Sequence, residues 1–209
     1  MALITDNTAL QELCGRLSKA SYITVDTEFM RENTFWPILC LVQVAGPDEA
    51  WAIDPLAEGL DLSPLFDLFA DENILKVFHA GRQDLEIFYH LAGRLPKPVF
   101  DSQIAAMVCG YGDSVGYDTL IGSLTGVRID KSSRFTDWSV RPLSDRQIDY
   151  ALGDVTHMRV AYEKLKATLE SNGRADWLVE EMAVLTAAET YYVDPARAYL
   201  RLKVRNPKP

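Results

Sequence analysis

The stretch 21-SYITVDTEFM-30 decides the fold and supplies the first two candidate functional residues. The short apolar run 23–25 is typical of a buried strand, and Asp26 follows it directly, with Glu28 two positions later. Because side chains alternate across a strand, Asp26 and Glu28 lie on one face with their carboxylates side by side. Two such charges repel one another. Either one of them takes up a proton, or a positive group lies between them.

Length and composition are those of one globular domain. A chain of 209 residues is long enough for one well-packed core and too short for two to be assumed. Hydrophobic residues make up 48%, and no apolar run approaches the roughly 18 residues of a membrane span. The first ten residues, MALITDNTAL, contain Asp6 and no apolar core of signal-peptide length. We therefore expect a soluble, cytoplasmic protein.

The net charge is weak evidence about nucleic acid. A charge of -9 and a pI near 4.8 argue against a protein that coats nucleic acid through a broad basic surface. They do not exclude an enzyme that binds only the end of a nucleic-acid strand. Carboxylates that hold divalent cations lower the formal charge, while the loaded site presents positive charge to a phosphate.

The first half of the chain has the pattern of an α/β protein. Apolar runs at 23–25, 38–45 and 50–53 are close together and predict an antiparallel meander of three strands. The segment LDLSPLFDLFA, with Ser63 as a cap and Pro64 at the first helical position, predicts a helix. A strand at 74–80, an amphipathic helix at 81–93 and a short strand at 98–103 follow. This part of the sequence therefore predicts a β-α-β-α-β arrangement.

Beyond Asp101 the sequence predicts mainly helices, of which the longest covers 142–170. Ser144 and Gln147 form a capping box there, and an apolar stripe runs along one side. Tyr150 and Asp154 are four residues apart, so they share a face of this helix.

Four acids and a tyrosine can thus converge. Asp84 lies in the first turn of the helix that follows a strand end, close to where Asp26 and Glu28 are expected. Hard divalent ions take oxygen ligands, and Mg²⁺ binds through a few carboxylates together with phosphate and water. Two such ions about 4 Å apart can activate a water and stabilise the leaving oxygen of a phosphodiester.

Three motifs in this order resemble those of the DEDD 3'-to-5' exonucleases, in the branch that has tyrosine in the third motif. They are VDTE at 25–28, FHAGRQD at 78–84 and YALGDV at 150–155. The longer stretch TDWSVRPLSDRQIDYALGDV, at 136–155, is similar to the one that characterises the ribonuclease D family. The likeness covers roughly residues 1–200, and three motifs in the right order are far more specific than one.

This resemblance implies a fold and a site. The fold is ribonuclease H-like, an α/β architecture with a mixed five-stranded sheet, an antiparallel meander followed by parallel strands, flanked by helices. The ligands of two Mg²⁺ or Mn²⁺ ions are Asp26, Glu28, Asp84 and Asp154, and Tyr150 orients the attacking water. Residues 1–190 form the exonuclease domain. The basic, Pro-containing segment 191–209 leads to where longer members begin a C-terminal helical domain.

The activity implied by the resemblance is two-metal-ion hydrolysis at the 3' end of single-stranded RNA. The enzyme removes nucleotides one at a time and releases nucleoside 5'-monophosphates, with transfer RNA precursors as the expected substrates and neither a membrane nor a dedicated protein partner. Two alternatives remain open. One is a DNA 3'-5' exonuclease, which a missing preference for the 2'-OH would indicate. The other is a catalytically silent RNA-binding module, which the presence of all four acids disfavours.

Three further residues are candidates for contact with the substrate. Phe29 is placed to stack on or wedge beside the terminal base, His79 precedes the second motif, and Lys131 is placed to reach a backbone phosphate. Each has an equally good structural interpretation, as a core aromatic, a strand-end side chain and a solvated charge. Asp101, ahead of SQIAAMV, is expected to be a helix cap and not a fifth ligand.

Overall fold

Six strands form one mixed sheet in the computed structural model, which describes residues 2–130, 133, 136–192, 194, 196 and 199. The strand order is β1-β4-β3-β2-β5-β6. The strands are β1 (Leu3–Ile4), β2 (Tyr22–Met30), β3 (Ile38–Ala45), β4 (Ala50–Ile53), β5 (Leu75–Phe78) and β6 (Val99–Asp101). The chain therefore has the predicted α/β architecture, with its longest strands at the centre of the sheet.

The predicted count of five strands is wrong by one. The meander β2-β3-β4 is antiparallel and β5 and β6 continue from β2 in parallel, as expected. The additional strand, β1, is parallel to β4 at the edge of the sheet. It has only two residues, which is too short to produce the alternation of side chains by which a strand is recognised in sequence.

Helices cover both faces of the sheet. The bounds of the helices are α1 (Asn7–Leu17), α2 (Ser63–Ala70), α3 (Arg82–Ala92), α4 (Ser102–Val108), α5 (Tyr117–Thr125), α6 (Asp145–Ser171) and α7 (Trp177–Leu185), with a 3-10 turn at Ala188–Thr190. Side chains of α1, α2 and α3 form one apolar core with β2 and β3. Side chains of α4, α5, α6 and α7 form a second core with β5 and β6. The sheet is thus the middle layer of three.

Helix α6 is the element that brings the third motif to the sheet. It begins with the predicted capping box, in which Ser144 accepts from the backbone of Gln147 and the Gln147 side chain accepts from the backbone of Ser144. Halfway along, the Thr24 hydroxyl on β2 donates to the Val155 carbonyl over 2.8 Å. This buried contact fixes the height of α6 above the strand that carries Asp26.

The helix at 63–70 begins slightly differently from the prediction. Leu62, and not Ser63, is the N-cap residue of α2, and Pro64 lies in its first turn. Asp61 instead accepts from both the backbone and the hydroxyl of Ser63.

None of the helices within the described ranges has the combination of length and apolar character that crossing a membrane requires.

Candidate active site

The first and third motifs meet in one cleft of about 430 Å³ at the end of strand β2. Six of the residues singled out in the sequence line it: Asp26, Glu28, Phe29, His79, Tyr150 and Asp154. A second cavity of about 410 Å³ adjoins the first and shares Ile129, Tyr150 and Asp154 with it. The first and third motifs therefore meet in this cleft, whereas Asp84 is not among the lining residues of either cavity.

Strand β2 presents Asp26 and Glu28 on the side of the sheet that faces α6. Thr24, two residues earlier on the same face, contacts α6 directly. The pairing of β2 with β3 is regular as far as Glu28 and shifts between Glu28 and Phe29. Such an irregularity changes the direction of the side chains that follow it. Phe29, the first residue after it, lines the same cleft as the acids.

A tight turn at residues 80–81 positions Asp84, which approaches strand β2 from the other side of the sheet. Ala80 has a φ of 53°, which is rare for a residue with a side chain, and a Cβ on Gly81 would stand 2.6 Å from Phe78. Asp101 holds the turn by accepting from the backbone N–H groups of Ala80 and Gly81 at 3.1 and 2.8 Å. Helix α3 begins immediately afterwards, so Asp84 falls in its first turn. The hydroxyl of Thr27 then donates to the Asp84 carboxylate.

Asp101 is also the N-cap of α4, as predicted. Its carboxylate accepts from the backbone of Gln103 and Ile104, at 2.8 and 3.3 Å. The same side chain therefore starts one helix and braces the turn that leads into another.

Asp26 and Asp84 are both largely buried, close to another carboxylate. Removal from solvent raises the pKa of Asp26 well above its usual value, and the charge of Asp154 raises it further. Burial likewise raises the pKa of Asp84, and the charge of Asp26 adds to this, while the hydrogen bond from Thr27 opposes it. Asp84 and Asp154 are each only 7% exposed. Crowded carboxylates of this kind favour either a proton or a cation.

Tyr117 is a member of the site that the sequence analysis missed. Its ring lines the cleft, and its hydroxyl donates to the backbone carbonyl of Asp154. Burial raises its pKa, and the charges of Asp154 and Asp26 raise it further, so the hydroxyl keeps its proton. Tyr117 thereby pins the segment of α6 that carries Asp154. No spacing rule pointed to it, because the contact joins residues 37 apart in the chain.

Tyr150 is supported by the loop that precedes α6. Its ring packs against that of Trp138, with 6.1 Å between the centroids, and Trp138 is only 2% exposed. Arg141 anchors this loop to the sheet, with two bonds of 2.7 Å to the Asp54 carboxylate and one of 2.6 Å to the Cys40 carbonyl. It also donates to the carbonyls of Trp138 and Val140. Part of the stretch that resembles ribonuclease D thus forms a loop that supports the ring of Tyr150.

His79 faces the cleft from the end of β5. Its Nδ1 lies 3.0 Å from the Ser102 hydroxyl, and its ring meets the edge of Tyr117. Burial lowers the pKa of His79, so the ring is neutral at physiological pH. Among the residues that the structure describes, its Nε2 has no hydrogen-bond partner. Lys131, the third substrate-binding candidate, lies outside the described residues.

The donor set fits a hard divalent cation. All four acids offer carboxylate oxygens, the ligands that Mg²⁺ and Mn²⁺ prefer. Within the described residues, no group of three or more His, Cys, Asp or Glu side chains is arranged so that it could hold a metal ion. The fit therefore rests on the chemistry of the donors and on their mutual repulsion, which a cation would relieve.

The sheet, the helices and the three motifs identify the class of protein. Residues 1–170 match the family of 3'-5' exonuclease domains, and the chain belongs to that family. Ribonuclease D of Nitrobacter hamburgensis is 55% identical to it over 209 residues, which are all of this chain and 55% of that relative. The chain spans about half the length of the curated relatives it matches.

Solved structures place the fold in the same group. The crystal structure of Escherichia coli RNase D, described as an exoribonuclease involved in structured RNA processing, has a TM-score of 0.89 and 36% identity. That match covers 95% of this chain and 53% of the other. Brucella melitensis NrnC with bound Mg²⁺ has a TM-score of 0.77 and 26% identity, over 98% of both chains. The expectation of a ribonuclease H-like fold is confirmed.

Proposed function

We propose that this chain is the catalytic unit of a metal-dependent exoribonuclease, which removes nucleotides one at a time from the 3' end of RNA and releases nucleoside 5'-monophosphates. One observation carries the proposal. Asp26 and Glu28 from β2 and Tyr150 and Asp154 from α6 line one cleft, and Asp84 is tied to β2 beside them. The similarity to proteins named ribonuclease D supports RNA as the substrate.

In this proposal Asp26, Glu28, Asp84 and Asp154 hold two Mg²⁺ or Mn²⁺ ions. When bound, the ions lower the pKa of water and stabilise negative charge on the phosphate. The residues of the chain do the positioning. Tyr150 orients the attacking water through its hydroxyl, since a phenol with an ordinary pKa of about 10 is a poor base at neutral pH.

Two side chains of the cleft are proposed to contact the terminal nucleotide. Phe29 offers a face on which a base can stack, and His79 offers the buried Nε2 as a hydrogen-bonding group. The adjoining cavity, with Arg128, Arg146 and His157 in its lining, is a path for the phosphates of the preceding nucleotides. Contact of Lys131 with a phosphate stays a prediction from sequence.

We extend the proposal to transfer RNA precursors as substrates and to residues 1–190 as the exonuclease domain, with 191–209 as a separate segment. The helices and turns within the described residues extend to the turn at Ala188–Thr190, and Tyr191 directly after it packs in the first apolar core. The involvement of Escherichia coli RNase D in structured RNA processing supports such a substrate.

The proposal is tested with RNA and DNA oligonucleotides of one sequence, labelled at the 5' end and incubated with Mg²⁺, with Mn²⁺ or with a chelator. We expect a ladder of 3'-shortened products from RNA in the presence of either ion and none with the chelator. An equal ladder from DNA would indicate the DNA exonuclease alternative. Intact RNA under all conditions, with RNA still bound, would indicate the silent binding module.

A further inference from the structure

Gln43 is a buried polar residue that lies beside Asp26 and takes part in none of the roles described above. It lies in the middle of β3 with none of its surface exposed. Among the described residues, neither its side-chain oxygen nor its side-chain nitrogen has a hydrogen-bond partner. Leaving a buried side-chain amide without hydrogen-bond partners is destabilising, and native structures contain few such groups.

The register of the sheet shows what Gln43 faces. It is paired with Asp26 on β2 and with Ala52 on β4, and of these two only Asp26 is polar. Directly opposed residues of an antiparallel pair share a face, with Cβ atoms about 5 Å apart. The face is the one covered by α6, because Thr24 on that face bonds to Val155. Gln43 therefore lies under α6, directly opposite Asp26 on the neighbouring strand.

The proposal rests on the function proposed above, because it concerns the binding of the ions. We propose that Gln43 is a positioning residue for Asp26: when a divalent cation is bound, the Gln43 amide N–H donates a hydrogen bond to the Asp26 carboxylate and holds it in the orientation that binds the cation. A carboxylate has more lone pairs than one ion uses, and the remaining ones require a donor.

The chemistry of the side chain suits this role. A neutral amide supplies a hydrogen bond without adding a positive charge that would compete with the cation for Asp26. A lysine or arginine at the same position would donate a hydrogen bond but would also add such a positive charge. Hydrogen-bonding partners behind the ligands of a metal commonly change its affinity by about 10- to 100-fold when they are removed.

The test replaces Gln43 with methionine, which has nearly the same length and no hydrogen-bonding amide. Two quantities are measured, the affinity for Mn²⁺ from the free-ion signal in electron paramagnetic resonance, and the midpoint of thermal unfolding with a chelator present. We expect affinity to fall about 10- to 100-fold while the midpoint stays the same or rises, because the substitution removes an unsatisfied polar group. Gln43→Leu serves as a second variant if methionine impairs folding.

Gln103→Leu is the matched control. Its amide donates to the Val115 carbonyl over 3.0 Å, so this glutamine has a structural partner. We expect the control to lower the unfolding midpoint and to leave Mn²⁺ affinity unchanged. Unchanged Mn²⁺ affinity in Gln43→Met would overturn the inference. Absence of Mn²⁺ binding by the unaltered protein would instead overturn the proposed function, so the two failures are distinguishable.

Discussion

The Thr27 hydroxyl donates a hydrogen bond to the carboxylate of Asp84, which joins strand β2 to helix α3 across 57 residues of sequence. Thr27 stands between Asp26 and Glu28 and points to the opposite face of the strand. The strand therefore supplies two acids to the cleft from one face and holds the acid of the second motif from the other. In this chain, the hydroxyl residue between the two acids of VDTE thus links the first motif to the second.

The first prediction concerns Asp84. Asp84→Asn should remove turnover and keep the fold, because the carboxamide preserves the shape and the contact with Thr27 but loses the charge that holds an ion. Single-turnover hydrolysis of a 5'-labelled RNA in Mg²⁺, together with a thermal unfolding curve, measures both effects. A variant as fast as the unaltered protein would remove Asp84 from the proposed ligands.

The second prediction concerns Tyr150. Tyr150→Phe should lower the rate of the chemical step by roughly ten- to a thousandfold, the scale of one positioned hydrogen bond in the transition state. RNA affinity, measured separately in Ca²⁺, should change little, because phenylalanine keeps the ring that packs against Trp138.

Tyr162→Phe is the control for this experiment. Tyr162 lies on the same helix but in the second apolar core, so its rate should match that of the unaltered protein. If Tyr150→Phe also keeps the full rate, its hydroxyl has no part in the reaction. If RNA affinity falls instead, the residue acts in binding.

The third prediction concerns the brace made by Arg141. Its guanidinium makes five hydrogen bonds, two to Asp54 and three to backbone carbonyls. Because Asp54 is only 5% exposed, Arg141→Met should lower the free energy of unfolding by about 2–4 kcal/mol, through an uncompensated charge and unpaired carbonyls. Chemical denaturation measures this loss.

The matched control removes an exposed arginine. Arg16 pairs with Glu49 at 2.9 Å on the surface, and Arg16→Met should cost much less because water screens that pair. Equal losses from the two variants would show that the loop before α6 is not held by Arg141.

The fourth prediction concerns pH. The pKa of Asp26 and of Asp84 is raised in the folded state above the ordinary value of about 3.9. Between the ordinary pKa and the raised pKa values, these two carboxyls stay protonated in the folded protein but are ionised in the unfolded chain. The free energy of unfolding therefore falls as pH rises through this range. Divalent ions bind the ionised carboxylates. The rise in unfolding midpoint on adding Mg²⁺ in place of chelator should therefore grow as pH rises above about 4.

A series of thermal unfolding curves at fixed ionic strength tests this dependence. In Asp26→Asn the growth with pH should be smaller, since one of the two titrating carboxyls is gone. A Mg²⁺ effect of the same size at every pH would contradict the assignment of these carboxylates to the ions.

The sequence predicted those parts of the site whose residues lie close together in the chain. The period of two along β2 placed Asp26 beside Glu28, and the helical spacing placed Tyr150 one turn from Asp154. The meander and the β-α-β-α-β continuation were also predictable, because alternation and capping act over a few residues.

Long-range contacts were not predictable in the same way. Tyr117 reaches Asp154, and Arg141 reaches Asp54 over 87 residues, through pairings that only the folded chain creates. Gln43 stands within an apolar strand pattern, and its position opposite Asp26 depends on the register of the two strands. Tyr117 and Gln43 adjoin proposed ligands through such contacts, which the spacing of residues along the chain does not reveal.

The central claim is that the cleft removes nucleotides from the 3' end of RNA with the help of divalent ions. The most direct measurement follows a single-stranded RNA labelled on its 3'-terminal nucleotide, incubated with the unaltered protein in Mg²⁺ and, in parallel, with Asp154→Asn. We predict that the first labelled product is a nucleoside 5'-monophosphate, formed only by the unaltered protein and abolished by chelator. Labelled fragments of several nucleotides as the first product, or equal product from Asp154→Asn, would contradict the account.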